Sequence, residues 1–116
     1  MIQLLDESRT LLQEGRLWLD AFNSGSENRQ NEYKSLGAEL ARRLRSKAMA
    51  LGSNKATEFS DDIQMLIMSA AKVALVTFGT ASPEINIYEQ DVYYYRAFPS
   101  CRARVDEYDA FRRICT

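Results

Sequence analysis

The side chains in this chain that could do chemistry are two thiols, a scattering of carboxylates and a run of arginines; histidine is absent. Without imidazole there is no Ser-His or Cys-His nucleophilic pair, no histidine general base and no histidine-ligated zinc or iron. Two cysteines are too few for a four-cysteine zinc site. Cys101 stands beside Arg102 and Arg104, a setting that favours a thiolate. It also shares a helical stripe with Val105, Tyr108, Phe111 and Cys115, which reads as a small core position, and with no histidine to assist it this plainer reading is preferred. On one continuous helix the two thiols would lie about 21 Å apart, beyond disulfide reach, so both are expected free in a reducing compartment.

Carboxylates gather at Glu58, Asp61 and Asp62 and again at Glu84, Glu89 and Asp91. Inside a helical bundle such groups can hold a metal if they project inward at helical spacing. Here the aspartate pair sits where a helix start favours acid, and Glu89 and Asp91 flank an apolar stripe. No metal and no cofactor is therefore expected, and a carboxylate-dependent metalloenzyme is only the third reading. The run "ARRLRSK" supplies Arg42, Arg43, Arg45 and Lys47, within a segment, 26–55, holding seven basic and three acidic residues. A basic helix could grip phosphates. Yet these cations lie in the C-terminal half of a helix, where its dipole favours them, and they rim Leu40 and Leu44. No aromatic interleaves them, so nucleic-acid binding is the second reading. "GSNK" at 52–55 lacks nucleotide-loop spacing.

The elements that must position these groups read as helices. Leu4, Leu5, Leu11, Leu12, Trp18, Leu19 and Phe22 form one helical stripe, with Ser8 and Gly15 as small residues within it. Trp18 is a core or interface anchor. Ser24 and Glu27 form a capping-box pattern opening a second helix, whose stripe is Tyr33, Leu36, Leu40, Leu44 and Leu51 and whose end is marked by Gly52. "SNKATEFS" then reads as a loop, with Ser60 as a cap. The third helix, "IQMLIMSAAKVALVTF", has Lys72 as its one charge and apolar residues on every side, so it belongs at the centre. Gly79 ends it, Ser82 and Pro83 start a fourth helix over 83–98, Pro99 ends that, and Ser100 caps a fifth. A hairpin is the competing reading of "INIYEQDVYYYRA", but no Asn-Gly or Asp-Gly turn supports it. The expected fold is all-α, a single bundle-like domain over 1–116 of four or five helices.

At 116 residues and 46% hydrophobic content the chain can bury a real core, roughly 65% of its unfolded surface. Its net charge of −1 supplies no field that would draw it to nucleic acid or an anionic membrane. No stretch is apolar over the ~18 residues of a membrane span. Asp6 and Glu7 interrupt any secretory leader. A cytoplasmic protein is expected.

The remaining clue is the triple tyrosine in "VYYY" at 92–95. On a helix, Ile85, Tyr88, Val92 and Tyr95 align as a core stripe, while Ile87, Tyr94 and Phe98 form a second, about 120° away. A monomer's surface helix needs one apolar face, and this one has two. Either the second packs beneath the chain's own N-terminal helix, or it docks on another chain, where tyrosine is favoured. The latter reading makes the chain a non-enzymatic adaptor, regulator or inhibitor, a homodimer acting through Ile87, Tyr94 and Phe98, and secondarily Tyr93.

Overall fold

The computed structural model describes residues 2–24, 27–53 and 60–115. Among these residues five α-helices follow one another: α1 (Ile2–Ser24), α2 (Glu27–Ser53), α3 (Ser60–Phe78), α4 (Asn86–Tyr94) and α5 (Arg102–Cys115), with 3-10 turns at Pro83–Ile85, Tyr95–Ala97 and Pro99–Cys101. No strand occurs among the described residues. The fold is all-α, and the hairpin reading of 85–95 falls away.

The all-round apolarity of α3 sets the architecture. Leu66, Ala70, Ala71, Val73, Ala74 and Leu75 are all buried, and α1, α2, α4 and α5 each pack on α3. Ion pairs fix the directions. Glu7–Lys47 and Glu14–Arg43 lay α1 antiparallel to α2. Asp61–Arg104 and Lys72–Glu107 lay α5 parallel to α3. Gln64, buried in α3, donates through Nε2 to the carbonyl of Cys101 (3.3 Å) and accepts through Oε1 from Arg104 (2.8 Å), tying the start of α5 to the centre.

Small residues let α1 approach. Ser8 is buried with its hydroxyl donating to the Leu4 carbonyl at 2.8 Å. A Cβ at Gly15 would press on the Ser69 hydroxyl, and one at Gly37 would collide with the Trp18 ring and the Thr77 hydroxyl. Gly37 explains a departure from the sequence reading: Leu36 does not join the α2 stripe and is exposed, because its neighbour Gly37 takes the inward position against the Trp18 ring. The stripe runs through Leu40, Leu44, Ala48 and Leu51.

Helix ends follow local chemistry with some shifts. Gly79 takes φ +87 and donates its N–H to the Leu75 carbonyl at 2.9 Å, a glycine stop. Ser82 accepts from the Glu84 N–H at 3.2 Å with Pro83 at the first position. Gly52 lies inside the end of α2, which closes at Ser53. Ser24 is the last residue of α1, and the side chains of the Ser24–Glu27 capping-box pattern lie outside the described residues. Ser100 is not a helix cap either; Phe98 takes that position before Pro99, and α5 begins at Arg102. Cys115 leaves the α5 stripe, for the last turn, with Ile114 also exposed, runs past the core. The Tyr33 and Ser60 side chains and the 54–59 segment with Glu58 lie outside the described residues.

Two substitutions test this packing. Gly37→Ala should cost about 1–3 kcal/mol, the usual result of forcing a methyl group into a full site, read as a lower denaturant midpoint. The Thr77 hydroxyl is buried without a hydrogen-bond partner among the described residues, a state that costs about 1–3 kcal/mol, so Thr77→Val should raise the midpoint.

Candidate interaction surface

α4 is short, and its inner side is filled first. Ile85, Tyr88 and Val92 are buried against the core and Tyr95 is half-buried, the stripe expected from helical spacing. With that side taken, Ile87, Tyr94 and Phe98 face outward and are 47%, 67% and 43% exposed. They are not covered by the N-terminal helix.

The backbone after α4 shapes this surface. Tyr95–Ala97 tightens to a 3-10 turn, with the Phe98 N–H donating to the Tyr95 carbonyl at 3.0 Å, and Phe98 turns extended (φ −105, ψ 115) ahead of Pro99, as a residue preceding proline must. Tighter winding brings side chains three apart nearly into line. Tyr95 and Phe98 are such a pair, and adjacent Tyr94 and Tyr95 meet edge to face, with centroids 5.4 Å apart and planes at 88°. Phe98 lies 5.6 Å from Tyr94 and 6.2 Å from Tyr95. The three rings hold one another in place, each in the range where aromatic pairs attract.

The three consecutive tyrosines thus have three fates. Tyr94 faces solvent, and Tyr95 wedges half into the core. Tyr93 turns to α5: its hydroxyl donates to Asp109 at 2.6 Å, its ring meets Tyr108 edge-on at 6.1 Å, and the Arg96 guanidinium sits 4.5 Å over it. Tyr93 is therefore not brought together with Ile87, Tyr94 and Phe98. One turn below, Glu89 accepts on one oxygen from both Tyr108 (2.8 Å) and Arg112 (2.7 Å), its side chain only 12% exposed. This clasp binds α5 to the back of α4 and fixes which way its aromatic edge points.

Sequence reasoning missed one contributor. Tyr95 belongs to the ring cluster as well as to the core stripe. The signal was its place three residues before Phe98, but it needed the 3-10 turn over Tyr95–Ala97 to be read.

Arg42, Arg43 and Lys47 line one groove between α1 and α2, but they share it with Asp6, Glu7 and Glu14. Arg42 pairs with Glu39 (2.8 Å), Arg43 with Glu14 (3.2 Å) and Lys47 with Glu7 (2.8 Å), while Arg45 turns the other way to Asp91. Lys47 also holds the Glu7 carboxyl below the usual carboxylate range. Among the described residues no group of three His, Cys, Asp or Glu side chains comes together to hold a metal. Asp61, Glu89 and Asp91 are drawn apart by Arg104, Arg112 and Arg45. Cys101 and Cys115 are both free, and Arg102 and Arg104 reach for the Arg96 carbonyl and for Asp61 and Gln64. No helix among the described residues is long and apolar enough to cross a membrane.

No family model matches the chain, no curated protein is recognisably similar to it, and no solved structure matches its fold.

The α4–α5 clasp carries a pH signature. Burial, then the hydrogen bond to Asp109 and the carboxylate charges around it, push the Tyr93 hydroxyl up to about 12, against ~10 in the unfolded chain. A group raised on folding contributes stability that is complete below its unfolded value and is lost as pH climbs to the folded one. Thermal melts should therefore show stability falling between pH 10 and about 12. Tyr93→Phe should make that decline shallower, leaving the part due to Tyr108, which burial and Glu89 also push up.

Proposed function

We propose that this chain is a small non-catalytic interaction module, a regulator, adaptor or inhibitor, that works as a homodimer docked through the outer face of α4. The carrying observation is the interlocked Tyr94–Tyr95–Phe98 cluster, with exposed Ile87 two turns back along the helix, on a helix whose inner side is already full. Monomers seldom leave contiguous apolar surface in water, and rigid aromatic rings dock at low entropic cost.

A second copy is the occupant favoured by charge. A net charge of −1 gives two copies little mutual repulsion, and the face itself carries rings and an aliphatic chain rather than a charged pattern that would call for an opposite partner. A two-fold arrangement would lay the aromatic edge of one α4 against its equal. The basic residues of α2 support no second reading, since all four already hold carboxylates. Free thiols at Cys101 and Cys115 accord with a reducing compartment such as the cytoplasm.

Sedimentation velocity over a concentration series tests the reading: a reversible dimer is expected. Tyr94→Asp should raise its dissociation constant about thirtyfold or more, the effect of losing one hot-spot side chain, with helicity unchanged. A monomer at every concentration, or a dimer indifferent to Tyr94→Asp, would refute it.

A further inference from the structure

Equal helices pack about six around one at the usual spacing, yet α3 has α1, α2, α4 and α5 as its helical neighbours. α1 and α5 both pack on α3 without packing closely on each other, and the gap between them is a cleft of about 320 Å³. That is the small end of the ~300–1,000 Å³ range of ligand cavities. Leu12 and Leu19 form one wall and Met65 and Met68 the floor. Thioether side chains adapt readily to irregular apolar guests.

The polar groups of the cleft are few, and most are cationic. Among the described residues Arg16, Lys72 and Arg104 line it, with Glu107 as the one acid and Ser69 supplying a hydroxyl. Arg104 is occupied by Asp61 and Gln64, and Lys72 pairs with Glu107 at 3.4 Å and lies over the Phe111 ring. Arg16 makes no ion pair or hydrogen bond among the described residues. Its level is fixed: Gly15 abuts the Ser69 hydroxyl, which sets Arg16 near Ser69 midway along the cleft, with Leu19 and Lys72 one turn to one side and Leu12 and Met65 one turn to the other.

We propose that this cleft binds a small amphiphilic carboxylate of the medium-chain fatty acid type. Its head group meets Arg16, Ser69 and Lys72, and its tail lies over Leu12, Met65 and Met68. The lined length, Leu12–Leu19 on α1 and Met65–Lys72 on α3, is about 10 Å by helical rise, too short for a docked helix. The apolar walls give a bare inorganic anion nothing to cover them. The site shares no residue with the α4 face and does not rest on the homodimer.

Titration of decanoate into methionine-methyl-labelled protein, followed by NMR, tests this. Met65 and Met68 should shift saturably below the aggregation limit of the ligand, and Met49 should not. Decanol should bind more weakly, and Arg16→Gln, at an exposed position, should weaken decanoate about fivefold, the effect of one exposed charge contact. The Tyr94→Asp protein should bind as the native chain does. Absence of saturable shifts, equal affinity for decanol, an indifferent Arg16→Gln protein, or shifts centred on Met49 would each overturn the proposal.

Discussion

A helix that is apolar around its circumference has to be enclosed, and α3 imposes that requirement on everything else in this chain. Each of the other helices is placed by the side of α3 that it covers. α1 reaches it through Gly15, and α2 leaves room at Gly37 for Trp18. α4 covers it with Ile85, Tyr88 and Val92, and α5 with Val105 and Tyr108. At about 1.5–3 kcal/mol for each fully buried large aliphatic side chain, these contacts outweigh any surface ion pair, worth about 0–1 kcal/mol. The ion pairs therefore choose register and direction within an arrangement that burial has already demanded.

The aromatic edge of α4 follows from this arrangement. Nine residues make a helix too short to persist unaided, so its position depends on core contacts on one side and the Glu89, Tyr93 and Asp109 clasp on another. With two sides committed, the third is left to water. The 3-10 turn that follows then locks Tyr94, Tyr95 and Phe98 against one another, so the exposed rings are ordered before any partner arrives. Such order reduces the entropy that docking would otherwise lose.

Much of this was legible from residue spacing. The 3.6 period gave the core stripes of α1 and α5 and both faces of α4, the lack of any polar side marked α3 as central, and Gly79, Ser82 and Pro83 marked the turn between α3 and α4, because these signals are local. Pairings across the chain were not legible. Tyr93 looked like a neighbour of Tyr94 at the surface, but Asp109, sixteen residues on, turns it away. Leu36 fitted the α2 period, yet the approach of Trp18 rotated the stripe by one position to Gly37. The basic run on α2 looked like a patch because its carboxylates, Glu7, Glu14 and Asp91, come from two other helices. Buried Gln64 carried no sequence signal, since its role exists only where α5 begins against α3.

The central claim is that the outer face of α4 is covered by a second copy of the chain. Hydroxyl-radical footprinting across a concentration series measures this directly, residue by residue. The account predicts that oxidation of Tyr94 and Phe98 falls as concentration rises while that of Ile114, 82% exposed at the far end of α5, stays constant. Equal oxidation of Tyr94 and Phe98 at every concentration would contradict it.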